Sequence, residues 1–194
     1  MKEEAASLAT RAVSAFQSGD HELAAKLCRQ AISAMAATAD YRNLLVVLGN
    51  LATSVPDVDE KRRLLAQTVW LSIALEVPNS LLYIVALFQA LPEGSPLEEP
   101  LAAAGLMESR RGAEADPAHA EMALKLAAVL ARRKRVVPAE TDRFLREFVT
   151  NAPKVAAGLL HALDDAVGEA WEFDRGPLIK RVGKRLSHKS HSVH

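Results

Sequence analysis

Cysteine occurs once in the 194 residues, at Cys28, so no intramolecular disulfide can brace the fold. Aromatic residues make up only 5% of the chain, and β-branched runs bounded by turn residues are nearly absent, which removes the signature of a sheet protein. Charge of one sign is lacking too. The 24 basic and 24 acidic side chains cancel, which excludes a whole-protein electrostatic footprint for nucleic acid. The longest apolar stretches, Leu44 to Leu48 and Leu81 to Leu91, are too short for a membrane span. Met1-Lys2-Glu3-Glu4 is acidic and polar, and is not expected to be a signal peptide. A reducing, cytoplasmic setting is the expectation.

Signatures of chemistry are missing as well. The chain has no Gly-rich phosphate loop, no His-Glu-x-x-His, no paired-cysteine motif and no Gly-x-Ser-x-Gly elbow. No catalytic residue, metal set, cofactor or small-molecule substrate is therefore expected, and the chain reads as a non-enzyme. Cys28 falls on the apolar face of a helix and reads as a small buried hydrophobe. Asp164, Asp165 and Glu169 are carboxylates near His161, with Asp165 and Glu169 four apart on an expected helix; a solvated acidic face is the simpler reading.

What is abundant is Ala and Leu, the strongest helix formers, because Ala has no side-chain entropy to lose and Leu loses little. The spacing predicts an all-α fold of about eight or nine helices. They would form stacked antiparallel hairpins, as an α-solenoid or a compact helical bundle. Ser7 to Phe16 and Leu23 to Met35 form the first pair, turned at Ser18-Gly19-Asp20-His21. A third helix follows Asp40 and runs to about Val55. Asp59 is the expected N-cap of a fourth helix, which ends near Val77. Leu81 to Leu91, apolar nearly all round, is expected to be buried on both sides. Residues 92–117 read as a weakly structured connector. Leu97 to Arg110 can still make a helix if Pro100 lies in its first turn. Asp116-Pro117 starts the next helix, which ends in Arg132, Arg133, Lys134 and Arg135, a basic patch suited to the negative end of a helix dipole, with a nucleic-acid contact as the alternative. Helices over Pro138 to Thr150 and Pro153 to Trp171 complete the pairs within 118–173.

Residues 174–194 carry Leu178, Ile179, Val182 and Leu186 at helical spacing among Lys180, Arg181, Lys184 and Arg185, a basic amphipathic helix with a disordered end. It can cap the domain, bind nucleic acid or an anionic membrane surface, or engage a partner.

The hairpins of residues 1–91 resemble tetratricopeptide repeats. The resemblance rests on the Gly19-Asp20 turn, on small residues at Ala12, Ala24 and Ala31, on Leu48-Gly49-Asn50, and on Ala66, Trp70 and Ala74 before Pro78. In that family the first helix of each pair lines a groove that holds a peptide or a helix. The positions that carry over here are Ala9, Val13, Phe16 and Gln17, then Asn43, Val46, Asn50 and Thr53. The resemblance thus implies a scaffold or adaptor that binds another protein, or a second copy of itself. Ala9 and Val13 stand where relatives that grip a C-terminal carboxylate place Lys and Asn, and only Asn50 is similar to that clamp, so an apolar partner segment is expected instead.

Overall fold

The computed structural model describes residues 2–77, 80–112 and 117–180. Among them the protein is all-α: nine α-helices, one 3-10 turn and no strand. Two compact units divide the chain. One holds the residues up to Val55 together with those from Glu169, and the other holds Pro56–Gly168. The third and fourth expected helices, after Asp40 and after Asp59, therefore fall in different units.

The first unit contains α1 (Lys2–Gln17), α2 (His21–Ala37) and α3 (Tyr41–Ser54). Each packs on the other two. The α1–α2 and α2–α3 turns share one chemistry. Ser18 Oγ donates to the Ala15 carbonyl at 2.8 Å, Gly19 takes φ 82°, and Asp20 N donates back to the same carbonyl at 3.0 Å. Twenty residues on, Thr38 Oγ1 donates to the Met35 carbonyl at 3.2 Å, Ala39 takes φ 54°, and Asp40 N returns to Met35 at 2.9 Å. Both are helix ends closed by a left-handed residue, which satisfies carbonyls the helix leaves open. The Asp20 carboxylate then caps α2 by accepting from Leu23 N at 3.0 Å. Asp40 instead accepts from Asn43 Nδ2 at 2.8 Å. Ala12, Ala24 and Ala31 are buried, so the helices approach closely over Leu27, Ile32, Leu44 and Leu48.

Residues 169–180 belong to this unit. Phe173 and Leu178 are buried, Glu172 lies 3.8 Å from Arg29, and the Arg175 guanidinium sits 4.4 Å above Trp171. Residues 176–180 are helical, with Ile179 exposed. Arg181, Lys184 and Arg185 lie outside the described residues.

The second unit contains α4 (Val58–Ala74), α5 (Ser80–Ala90), α6 (Glu98–Gly112), α7 (Pro117–Arg133), the 3-10 turn Pro138–Glu140, α8 (Thr141–Ala157) and α9 (Leu159–Val167). Its centre is α6, which packs against α5, α7, α8 and α9. This helix occupies the stretch expected to be a weak connector, and Pro100 does lie in its first turn. The run Leu101-Ala102-Ala103-Ala104-Gly105-Leu106 explains its position: small side chains let four helices approach one axis, and Leu101, Ala102 and Ala103 are fully buried. A Cβ on Gly105 would stand 2.8 Å from Leu126 Cδ1 of α7.

Several local expectations are corrected. The N-cap of α4 is Asp57, whose carboxylate accepts from Glu60 N at 2.7 Å; Asp59 is already helical and pairs with Arg62 at 2.6 Å. Leu82 is 52% exposed, so α5 is not buried on both sides. Pro153 starts no helix. It lies inside α8, exposed, beside the fully buried Ala152, and the break comes at Gly158. Packing of the α8 stripe outweighs the lost amide of a single proline. Trp171 lies beyond α9, which ends at Val167 before Gly168 with φ 61°.

Candidate functional groove

The residues carried over from the helical-repeat resemblance mostly meet in one place. Along α1, Ala9, Val13 and Phe16 recur at helical spacing, as do Asn43, Val46, Asn50 and Thr53 along α3. Between these rows lies an open trough of about 510 Å³, lined by Ala9 and Val13 on one side and by Asn43, Val46 and Asn50 on the other. Met35 of α2 and Val47 of α3, both 3% exposed, close its base. A smaller hollow of about 80 Å³ shares Val13 and Asn50 with the trough and adds Phe16 and Thr53. Gln17 is exposed at the end of α1 and lines neither.

The trough is apolar where it faces water. Val13 is 40% exposed and Val46 is 55% exposed, and in the adjoining hollow Phe16 is 40% exposed. The Phe16 ring is held edge-on against His21, with centroids 5.1 Å apart. Polar groups stand at the margin: Lys2 and Glu3 from the first turn of α1, and Asp40 ahead of α3. The Asn50 side-chain amide has no hydrogen-bond partner among the described residues, and it remains free to bond a peptide backbone. Sequence reasoning missed Ala6, Met35 and Val47 as lining residues. Ala6 was findable, since Ala6, Ala9 and Val13 continue one face of α1.

Beneath the smaller hollow, Cys28 is 1% exposed, and burial pushes its thiol up from 9.0 to about 11 against the weaker opposing pull of Arg29. A thiol so protonated is a poor nucleophile. His161 and Asp165 come within 3.7 Å, both well exposed to water, and Glu169 lies beyond the end of α9.

The basic stretch after α7 is partly consumed by the fold. Arg133 lies 2.7 Å from Glu98, and Lys134 pairs with Glu99. Arg132, Arg135 and Lys180 are exposed. No helix among the described residues is long and apolar enough to cross a membrane.

No protein-family model, no curated protein and no solved structure matches the chain.

Proposed function

We propose that the protein is a non-catalytic interaction module, tetratricopeptide-repeat-like in its N-terminal half, that holds an apolar segment of another protein in the α1–α3 trough. One observation carries this reading: Val13 and Val46 are exposed together along a preformed concave surface that continues, past Asn50, into the smaller hollow lined by the exposed Phe16. Covering a large aliphatic or aromatic side chain stabilises a complex by about 1.5–3 kcal/mol when its burial is complete. Three partly exposed ones therefore supply several kcal/mol before the cost of association. An amphipathic helix or an extended strand with alternate apolar side chains fits such a surface. Ala9 and Val13 offer no charge for a terminal carboxylate, which favours an internal segment over a chain end.

Proteins recovered with the native chain from its host provide the test. The double variant Val13→Asp/Val46→Asp should lose them while keeping its helical circular dichroism and thermal midpoint, since both positions are exposed. Retention of every partner by a folded double variant would defeat the proposal. A nucleic-acid or anionic-membrane reading would rest on the basic C-terminal end, Lys180, Arg181, Lys184 and Arg185, of which only Lys180 is among the described residues, and no observation on the described residues favours it.

A further inference from the structure

The second unit holds a larger cavity, about 600 Å³, that the trough reading does not use. Its floor is apolar and mostly buried: Ala66 of α4, Leu87 of α5, Leu91 and Leu97 around the following loop, and Ala162 and Ala166 of α9. Three of the six floor positions are alanine, where a larger side chain would fill the space. Pro92 and Pro96 form a wall on the loop between α5 and α6, and two fixed φ angles hold it in shape. The volume falls within the roughly 300–1,000 Å³ of small-molecule sites.

The rim carries charge, most of it already spent. Arg62 Nε donates to the Ala90 carbonyl at 2.6 Å, and its terminal nitrogen donates to Asp59 at 2.6 Å. Asp165, on the α9 side, lies 3.7 Å from His161 and is 71% exposed to water. Arg63 lines the cavity from α4 and has no ionic partner among the described residues. Ser95 Oγ accepts from Leu97 N at 3.3 Å, which leaves its hydroxyl hydrogen available at the same rim. One free guanidinium matches one carboxylate in a two-point bond. Asp165 repels an anion from the opposite wall, which keeps the head group on the α4 side and the tail over the alanines.

We propose that this cavity binds a small amphiphilic monocarboxylate, its carboxylate on Arg63 and its hydrocarbon tail over Ala66, Leu87, Leu97 and Ala162. Calorimetric titration of the full chain with decanoate, decanol and decyltrimethylammonium, all below their micelle concentrations, tests it. Decanoate should bind at least about tenfold more tightly than the other two, as a charge-assisted pair requires. Arg63→Gln should bring decanoate to the level of decanol. Ala166→Trp, at an exposed position that tolerates size, should abolish binding of all three, and Ala162→Leu should weaken it. No decanoate binding, equal affinity for the three probes, or affinity unchanged in Arg63→Gln or Ala166→Trp would overturn the assignment. Self-association of the native chain that Ala166→Trp abolishes would make the occupant a second copy, and would overturn it too.

Discussion

The Arg133 guanidinium lies 2.7 Å from the Glu98 carboxylate and 4.9 Å above the Phe88 ring, so the last turn of α7 is tied to the first turn of α6 and to α5. The same guanidinium reaches the Leu91 carbonyl at 3.3 Å. Both side chains are largely enclosed, 16% exposed for Arg133 and 5% for Glu98. A cation that the sequence alone reads as suiting a solvated helix end is thus a structural bolt.

Breaking that pair from one side should be costly, because the remaining charge stays buried without its partner. Arg133→Met is expected to destabilise the protein by about 3 kcal/mol, read as a lowered midpoint in urea. Adding Glu98→Leu should recover most of the loss, since two apolar groups replace two charges. If Arg133→Met alone leaves the midpoint unchanged, the pair contributes no more than a surface contact.

Three helix ends carry a left-handed residue that is not glycine: Ala39 (φ 54°), Glu76 (φ 55°) and Arg135 (φ 55°). Each precedes an amide that closes the helix, as in Val77 N to Ser72 O and Val136 N to Ala131 O, both 3.0 Å. A Cβ in this conformation is strained by about 1–2 kcal/mol. Glycine removes the strain and loses somewhat more freedom on folding. Ala39→Gly and Arg135→Gly should each raise stability by up to about 1 kcal/mol. The reverse change, Gly19→Ala, should lower it by a similar amount. A Cβ there meets nothing within 4 Å, so the cost is purely conformational. Differential scanning calorimetry of the three variants checks both signs.

Cys28 supplies a pH dependence. Its thiol titrates near 9.0 when solvated and at about 11 in the fold, where burial disfavours the thiolate. Between those values the unfolded chain has released a proton that the folded chain retains. Stability should therefore fall as pH rises through that window, and be unaffected by this group below it. Compared with Cys28→Ala, the native chain should show the steeper loss from pH 9 to 11 in chemical denaturation. A disulfide-exchange reagent at neutral pH should label Cys28 only after unfolding. Fast labelling of the native protein would contradict its burial.

The groove was legible in the sequence and the core of the second unit was not, for physical reasons. Ala9, Val13 and Phe16 share one helix face, and Asn43, Val46 and Asn50 share another, across a short three-helix turn sequence that local turn chemistry dictates. The helical-repeat resemblance says which faces of the two helices to compare, and spacing within each helix then places the residues on them. The 600 Å³ cavity draws on α4, the loop after α5 and α9, segments no local pattern connects. For α6 the pattern itself misleads. Pro96, Pro100, Gly105 and Gly112 are ordinary breaks, and a run of alanines gives no apolar stripe. Enclosure by four neighbours removes the need for a stripe, and it makes small residues the ones that fit.

Gly105 is where that account of α6 can be tested most directly. On an exposed helix, Gly→Ala would gain about 1 kcal/mol from propensity. Here the new Cβ would stand 2.8 Å from Leu126 Cδ1 and 3.4 Å from Leu81 Cδ1, and Leu126 and Leu81 are both buried. Overpacking of this kind costs about 1–3 kcal/mol, so the contact term should win and Gly105→Ala should destabilise. Gly105→Leu should be far worse. Shortening the neighbour should reverse the sign: in a Leu126→Ala background, itself destabilised by its lost burial, Gly105→Ala should become stabilising. Double-mutant unfolding cycles measure that coupling. Additive effects would mean that α6 and α7 are not in the close contact that the alanine run permits.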